Sequence, residues 1–136
     1  MAIIEEIIRL EENGTLSFGD YISAEKKKRD NFEVSGDIYK IKTHIEITRL
    51  EKNGKLLLET VPGATVHNLA LETNSVTFSI EGADDTRVTA ELAPNEVYRV
   101  LIEGTNIGNV KSNISGKVIF SLDLDATPKS IEIVKA

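Results

Sequence analysis

Two imidazoles, His44 and His67, and two acidic pairs, Asp84-Asp85 and Asp123-Leu-Asp125, are the residues whose types and spacing could do chemistry. A histidine metal site needs partners at spacings such as H-x-H or H-x-x-x-H, and neither imidazole has one, so both read as surface or rim residues. Asp123 and Asp125 stand two apart, which puts both carboxylates on one face of a strand, where a hard cation such as Ca²⁺ could be ligated. They lack the glycine-containing loop of a calcium site, and solvated carboxylates are the plainer expectation. Glycoside hydrolysis requires two carboxyl groups roughly 5 to 9.5 Å apart in a cleft. No Trp offers a sugar-stacking surface, and Tyr21, Tyr39 and Tyr98 fall in patterns that favour burial. The nucleophile-elbow pattern G-x-S-x-G and glycine-rich phosphate loops are missing from the sequence. The reading is therefore non-catalytic, without metal or cofactor; an enzyme would have to use Asp123 or Asp125.

Composition narrows the partners. Sixteen basic and 22 acidic residues leave a formal charge of -6, which repels phosphate backbones and argues against nucleic-acid and anionic-membrane binding. The absence of Cys excludes disulfides and thiolate metal sites but leaves the compartment open. Charges interrupt the apolar residues of the first ten positions, and no basic leader precedes them, so neither a signal peptide nor a membrane insertion is expected. Delivery to a cell or spore surface would have to proceed without a classical leader.

Period-two alternation dominates the rest and predicts strands with one buried and one wet face. Over 38–48, Tyr39, Ile41, Thr43, Ile45 and Ile47 fall on one face, and Lys40, Lys42, His44, Glu46 and Thr48 on the other. The same rule groups Val76, Phe78 and Ile80; Val88, Ala90 and Leu92; Tyr98, Val100 and Ile102; Val118, Phe120, Leu122 and Leu124; and Ile131 and Ile133. Turn chemistry at Asn53-Gly54, at 81–85, at 103–106 and at 113–116 separates about ten strands, the punctuation of an antiparallel sandwich or barrel. The basic run Lys26–Arg29 reads as a solvated loop. Residues 8–16 and 47–56 share an R-L-E-x-N-G-x-L echo in which Asn-Gly closes a hairpin. The first copy is preceded by Ile3, Ile4, Ile7, Ile8 and Leu10, whose spacing fits a helical stripe slightly better than a strand. Val61-Pro62-Gly63-Ala64 divides an N-terminal β region, 1–61, from a C-terminal half, 64–136, with about seven strands.

The stretch Leu92-Ala-Pro94-Asn-Glu-Val-Tyr98-Arg-Val100 resembles the tyrosine corner of fibronectin type III modules, which implies an all-β fold with an Ig-like sandwich in the C-terminal half and a structural Tyr98. Residues 98–120, with their Gly and Asn-Ser-Gly turns, look like the closing strands of accessory β-sandwiches in polysaccharide-active enzymes. The opening R-L-E-x-N-G-T-L-S-F-G-D-Y and the close N-I-S-G-K-V-I-F-S-L-D-L resemble short proteins of spore-forming anaerobic bacteria labelled endosialidase. That resemblance implies a bacterial source and not an activity, because Arg9, Arg29, Arg49, Arg87 and Arg99 show no clustered carboxylate-binding pattern.

The expectation is a structural β-sandwich that associates with itself as an oligomer, surface layer or filament, through Ile3, Ile4, Ile7, Ile8 and Leu10, because an exposed isoleucine cluster needs a cover. The alternative is a carbohydrate-binding accessory module that contacts polysaccharide through Lys40, Lys42, His44 and Glu46.

Overall fold

The computed structural model describes residues 3–136, with side chains described from Glu6 onward. Thirteen strands follow one another: β1 (Ile3–Leu10), β2 (Leu16–Asp20), β3 (Lys27–Val34), β4 (Asp37–His44), β5 (Ile47–Lys52), β6 (Lys55–Val61), β7 (Thr65–Leu71), β8 (Ser75–Glu81), β9 (Thr86–Glu91), β10 (Val97–Ile102), β11 (Thr105–Lys111), β12 (Lys117–Leu122) and β13 (Lys129–Lys135). They form two antiparallel sheets packed face to face. The front sheet runs β1-β2-β7-β8-β13-β10-β11 and the back sheet β12-β9-β6-β5-β4-β3. Alternating residues from each sheet, among them Phe18, Ile80, Val100 and Ile133 in front and Ile41, Leu50, Leu58 and Val118 behind, build a single core. Each such side chain withdrawn from water contributes about 1.5 to 3 kcal/mol before entropy is counted.

Ladders cross the Val61–Ala64 segment in both sheets. β2 pairs with β7, and β6 pairs with β9. The seven strands after Pro62 divide five to two between the sheets, and four strands from before it complete the smaller share. The segment is thus the chain's passage from the back sheet to the front, buried at Gly63 and Ala64.

Two local expectations are corrected. The N-terminal stripe is strand, not helix, because its isoleucine spacing comes from a bulge. Ile3 pairs with Asp20 and Ile8 with Phe18, so β1 carries extra residues there, with left-handed backbone at Glu6 and Ile7 (φ 57° and 63°). Successive strand residues normally face opposite ways, but this bulge lets both Ile7 and Ile8 point inward. The basic run 26–29 lies largely within β3, an edge strand with most side chains in water. Its polarity is that of a protected edge, since lysines there discourage pairing with another chain.

The R-L-E-x-N-G-x-L echo does mark two hairpins, closed differently. Asn53 and Gly54 both take positive φ in a two-residue turn, whereas residues 11–15 form a longer turn in which the Asn13 Oδ1 accepts from the Thr15 N–H. Gly19 is required by close approach: with φ at 110°, a Cβ there would collide with the Ala64 carbonyl oxygen.

Where the chain leaves β2 and enters β7, the sheets are joined by polar groups. The Asp20 N–H donates to Thr43 Oγ1 at 2.9 Å, Thr43 and Thr48 share a hydroxyl contact of 2.7 Å, and Thr48 both donates to the Ala64 carbonyl and accepts its N–H. The buried Asp20 carboxylate accepts from the N–H groups of Ile22 and Ser23 and pairs with Lys27 at 2.8 Å. Burial pushes this carboxyl up, but the Lys27 ammonium and the two N–H groups prevail and hold it below the usual carboxylate range.

At the opposite end, the Tyr98 hydroxyl accepts the Ala93 N–H at 3.0 Å, and Ser112 ties the Ala93 carbonyl and the Glu96 N–H into the same corner.

Tyr98→Phe should cost about 1 kcal/mol by urea unfolding, because Ala93 loses its acceptor while the ring still packs. Asp20 binds its proton less tightly folded than unfolded, so its stabilisation is present above the ordinary carboxylate pKa and is lost as pH falls through the depressed folded value. Asp20→Asn should lower stability by about 2 kcal/mol near neutral pH. In a pH series of thermal melts, the gap between variant and wild type should close on the acid side.

Candidate functional site

The sandwich leaves three surfaces to consider: the strand edges, the outer faces of the sheets and the connections at either end. The N-terminal segment is an edge, and two of the five residues it was expected to offer, Ile7 and Ile8, are used inside. Ile7 and Ile8 are 8% and 2% exposed and belong to the core, so they are not available to a neighbour. Leu10 is exposed, and the side chains of Ile3 and Ile4 lie outside the described residues. A chain without residues 1–12 would therefore lose core as well as surface. β1 also leans against β3, with Glu6 and Arg29 at 3.7 Å. At its exit, the Arg9 guanidinium and the Ser17 hydroxyl hold the Glu11 carboxyl below its ordinary value.

The polar face expected over 38–48 is not continuous. Alternation stops at a two-residue turn, Ile45-Glu46, because His44 and Ile47 are already opposite each other in the β4–β5 hairpin. Lys40 and Lys42 are exposed on the outer face of the back sheet, Glu46 is exposed in the turn, and His44 is buried. The passage at Gly63 lies against the His44 backbone, so closely that a Cβ on Gly63 would collide with the His44 carbonyl oxygen. The His44 Nδ1 has no hydrogen-bond partner among the described residues. The four residues do not make one binding surface.

The other imidazole takes part in a constellation that spacing did not reveal. Glu81, at the end of β8, is 2% exposed, and its carboxylate takes His67 Nε2 at 2.7 Å on one oxygen and the Tyr21 hydroxyl at 3.2 Å on the other. The antiparallel pairing of Thr65 with Glu81 and His67 with Ser79 puts these groups on the outer face of the front sheet, where Tyr21 reaches them from the end of β2. With Glu81 ionised, His67 Nε2 carries the proton of this contact. Burial, then the Glu81 charge, pushes the Tyr21 phenol up, which keeps it a donor. The three side chains bridge β2, β7 and β8, satisfy a buried carboxylate and hold the imidazole in one orientation. Sequence reasoning placed Glu81 in a turn; the signal was its odd-numbered parity with Thr77 and Ser79, opposite to Val76, Phe78 and Ile80.

Beside this constellation, the outer face of the front sheet forms a shallow trough of about 390 Å³, lined by Asn68, Thr77, Ser79, Leu101, Ser130 and Glu132 among others. Hydroxyl, amide and carboxylate groups in adjacent strands give it donors and acceptors within reach of one ligand.

Asp84, Asp85, Asp123 and Asp125 are all exposed in the β8–β9 and β12–β13 connections, at one end of the sandwich. Asp123 and Asp125 lie just beyond the end of β12, with Leu122 and Leu124 still pointing inward. The Asp123 charge, with lost hydration and the Asp84 charge added, raises the Asp85 carboxyl above its ordinary value. Among the described residues, no group of three or more His, Cys, Asp or Glu side chains is arranged to hold a metal ion.

Of the two remaining edges, β11 and β12, β11 is the more open. Among the described residues β11 bonds only to β10, and six of its seven residues are exposed. Ile107 in β11, Ile114 in the turn that follows and Ile119 on β12 are 49%, 85% and 46% exposed, and β11 and β12 adjoin across the sandwich. β11 carries one charged residue, Lys111, against five in β3. Compared with known proteins, the chain matches no family model, no curated protein and no solved structure.

Proposed function

We propose that this protein is a non-catalytic structural β-sandwich that associates with itself. The observation that carries the reading is the β11–β12 side of the molecule, where an unpaired strand edge and three exposed isoleucines occur together. Free N–H and C=O groups along such an edge pair with another strand, and apolar side chains beside it add buried area to the contact. Since Ile7 and Ile8 belong to the core, this reading puts Ile107, Ile114 and Ile119 at the interface. Supporting this, the β3 edge carries lysines and an ion pair from β1, devices that discourage pairing, whereas β11 is nearly uncharged.

A second reading, binding of a polysaccharide, is favoured by the trough on the front sheet. Its neighbouring hydroxyl, amide and carboxylate side chains match the hydrogen-bonding groups of a sugar. In this reading the ligand would lie on the sheet opposite Lys40 and Lys42.

Sedimentation velocity over a concentration series tests the first reading. The wild type should form larger species as concentration rises, and Ile107→Lys with Ile119→Lys should weaken assembly by about tenfold or more while leaving the thermal melt unchanged. A wild-type chain that stays monomeric throughout would overturn it. For the second reading, a glycan array should give hits that are lost in Thr77→Ala with Glu132→Ala; an empty array would remove the trough as a sugar site.

A further inference from the structure

The outer face of the back sheet holds a second concavity, of about 660 Å³, at the end of the sandwich away from the four aspartates. Its position follows from register. Lys117 pairs with Glu91 at one end of the β12–β9 ladder, and Leu122 pairs with Thr86 at the other. The β5–β6 turn, with Lys52 and Lys55, belongs to the first end. Five steps along β9 separate the ends, roughly 17 Å of strand.

The groove and the aspartates are opposite in charge. Arg49, Lys52, Lys55 and Lys117 line the groove against the single carboxylate of Glu91, over an apolar floor that includes Leu57 and Pro94. Arg49 is engaged by Glu51 and Glu59, and Lys52 stands 3.7 Å from Asp37. Lys55 and Lys117 have no ion-pair partner among the described residues. Because Arg49 and Lys52 are offset by these neighbours, the charge left to attract a ligand is that of Lys55 and Lys117 beside Glu91. In a chain of net charge -6, these two lysines favour an acidic occupant. The four aspartates likewise make no ion pair among the described residues, and Lys129 donates to the Asp123 carbonyl oxygen. Asp85 and Asp123 repel each other there, a repulsion that cations from a neighbour would relieve.

We infer that the groove receives the aspartate-bearing end of a second copy of this chain, giving a head-to-tail contact in which Lys55 and Lys117 face Asp85 and Asp123. This rests on the self-association reading and specifies one of its contacts. The two surfaces differ and occupy opposite ends, so the contact is heterologous: each copy both gives and receives, and repetition produces a ring or an open filament. On the β11–β12 side the contact uses only the end at Ser115 and Lys117; Ile107, Ile114 and Ile119 do not line the groove and remain free to join such chains laterally.

Charge exchange tests the contact. One variant reverses the groove, Lys55→Glu with Lys117→Glu; the other reverses the end, Asp85→Lys with Asp123→Lys. Each alone places like charges together and should weaken assembly by about tenfold or more in sedimentation velocity at low ionic strength. Mixed in equal amounts, they should reassemble, since the acidic groove of one accepts the basic end of the other, and both contacts are restored in alternation. Wild-type assembly by the same contact should weaken in roughly 0.5 M salt. A neutral pair, Lys55→Gln with Lys117→Gln, should fall between wild type and reversal, and thermal melts establish that all variants fold. Assembly of either reversed variant at wild-type strength, or failure of the mixture to reassemble, overturns the groove contact and leaves self-association standing. A wild type that is monomeric at every concentration overturns both.

Discussion

The two sheets can pack only if the backbone that passes between them keeps its hydrogen bonds in a place water does not reach. At the Asp20 and Ala64 crossings, this condition is met by hydroxyls instead of hydrocarbon: Thr43 and Thr48, on neighbouring strands of the back sheet, serve the N–H of Asp20 and both backbone groups of Ala64 in the front. An unpaired buried amide or carbonyl would cost on the order of 1 to 3 kcal/mol, so the β4–β5 hairpin and the crossing segments hold each other in register. Gly19 is part of the same arrangement, because the close approach of β2 to residues 64 and 65 has no room for a side chain.

From that end the structure becomes progressively more ordinary. The middle is a hydrocarbon core drawn from both sheets. At the far end, the Tyr98 corner again uses a side-chain oxygen to serve a turning backbone. Polar devices therefore sit where the chain changes sheet, and apolar packing lies between them. The outer faces carry the variety: a trough with hydroxyls in front, a cationic groove behind, and an acidic end beyond β9 and β12.

Much of the core was legible because burial on one face writes itself as alternation. Val76, Phe78 and Ile80, and likewise Val118, Phe120, Leu122 and Leu124, point inward as their spacing requires. The tyrosine corner was legible because a Leu-x-Pro turn four residues before a buried phenol has few other uses. Edge strands were harder: β3 and β11 bury little, so neither shows an apolar period, and β3 reads as a basic loop. Bulges hide parity, and at Ile7 and Ile8 the extra residues mimic helical spacing. His44 was misread because the distant Gly63 passes against its backbone at the end of the hairpin, a contact that has no local signature. The His67–Glu81 pair was invisible for the same reason, and only register places the groove and the four aspartates at opposite ends of the sandwich.

The repeated exchange of the chain between sheets has a consequence for folding during synthesis. When residue 64 has been made, six strands exist, but β2 lacks β7 and β6 lacks β9, so both partial sheets end in bare strands whose partners have yet to appear. Pairings of such long sequence separation form slowly. A growing chain therefore exposes interior edges longer than the finished molecule does, and the last strand, β13, closes the gap between β8 and β10. Until that strand arrives, the front sheet is two pieces, and an interrupted chain is an invitation to pair with the wrong copy.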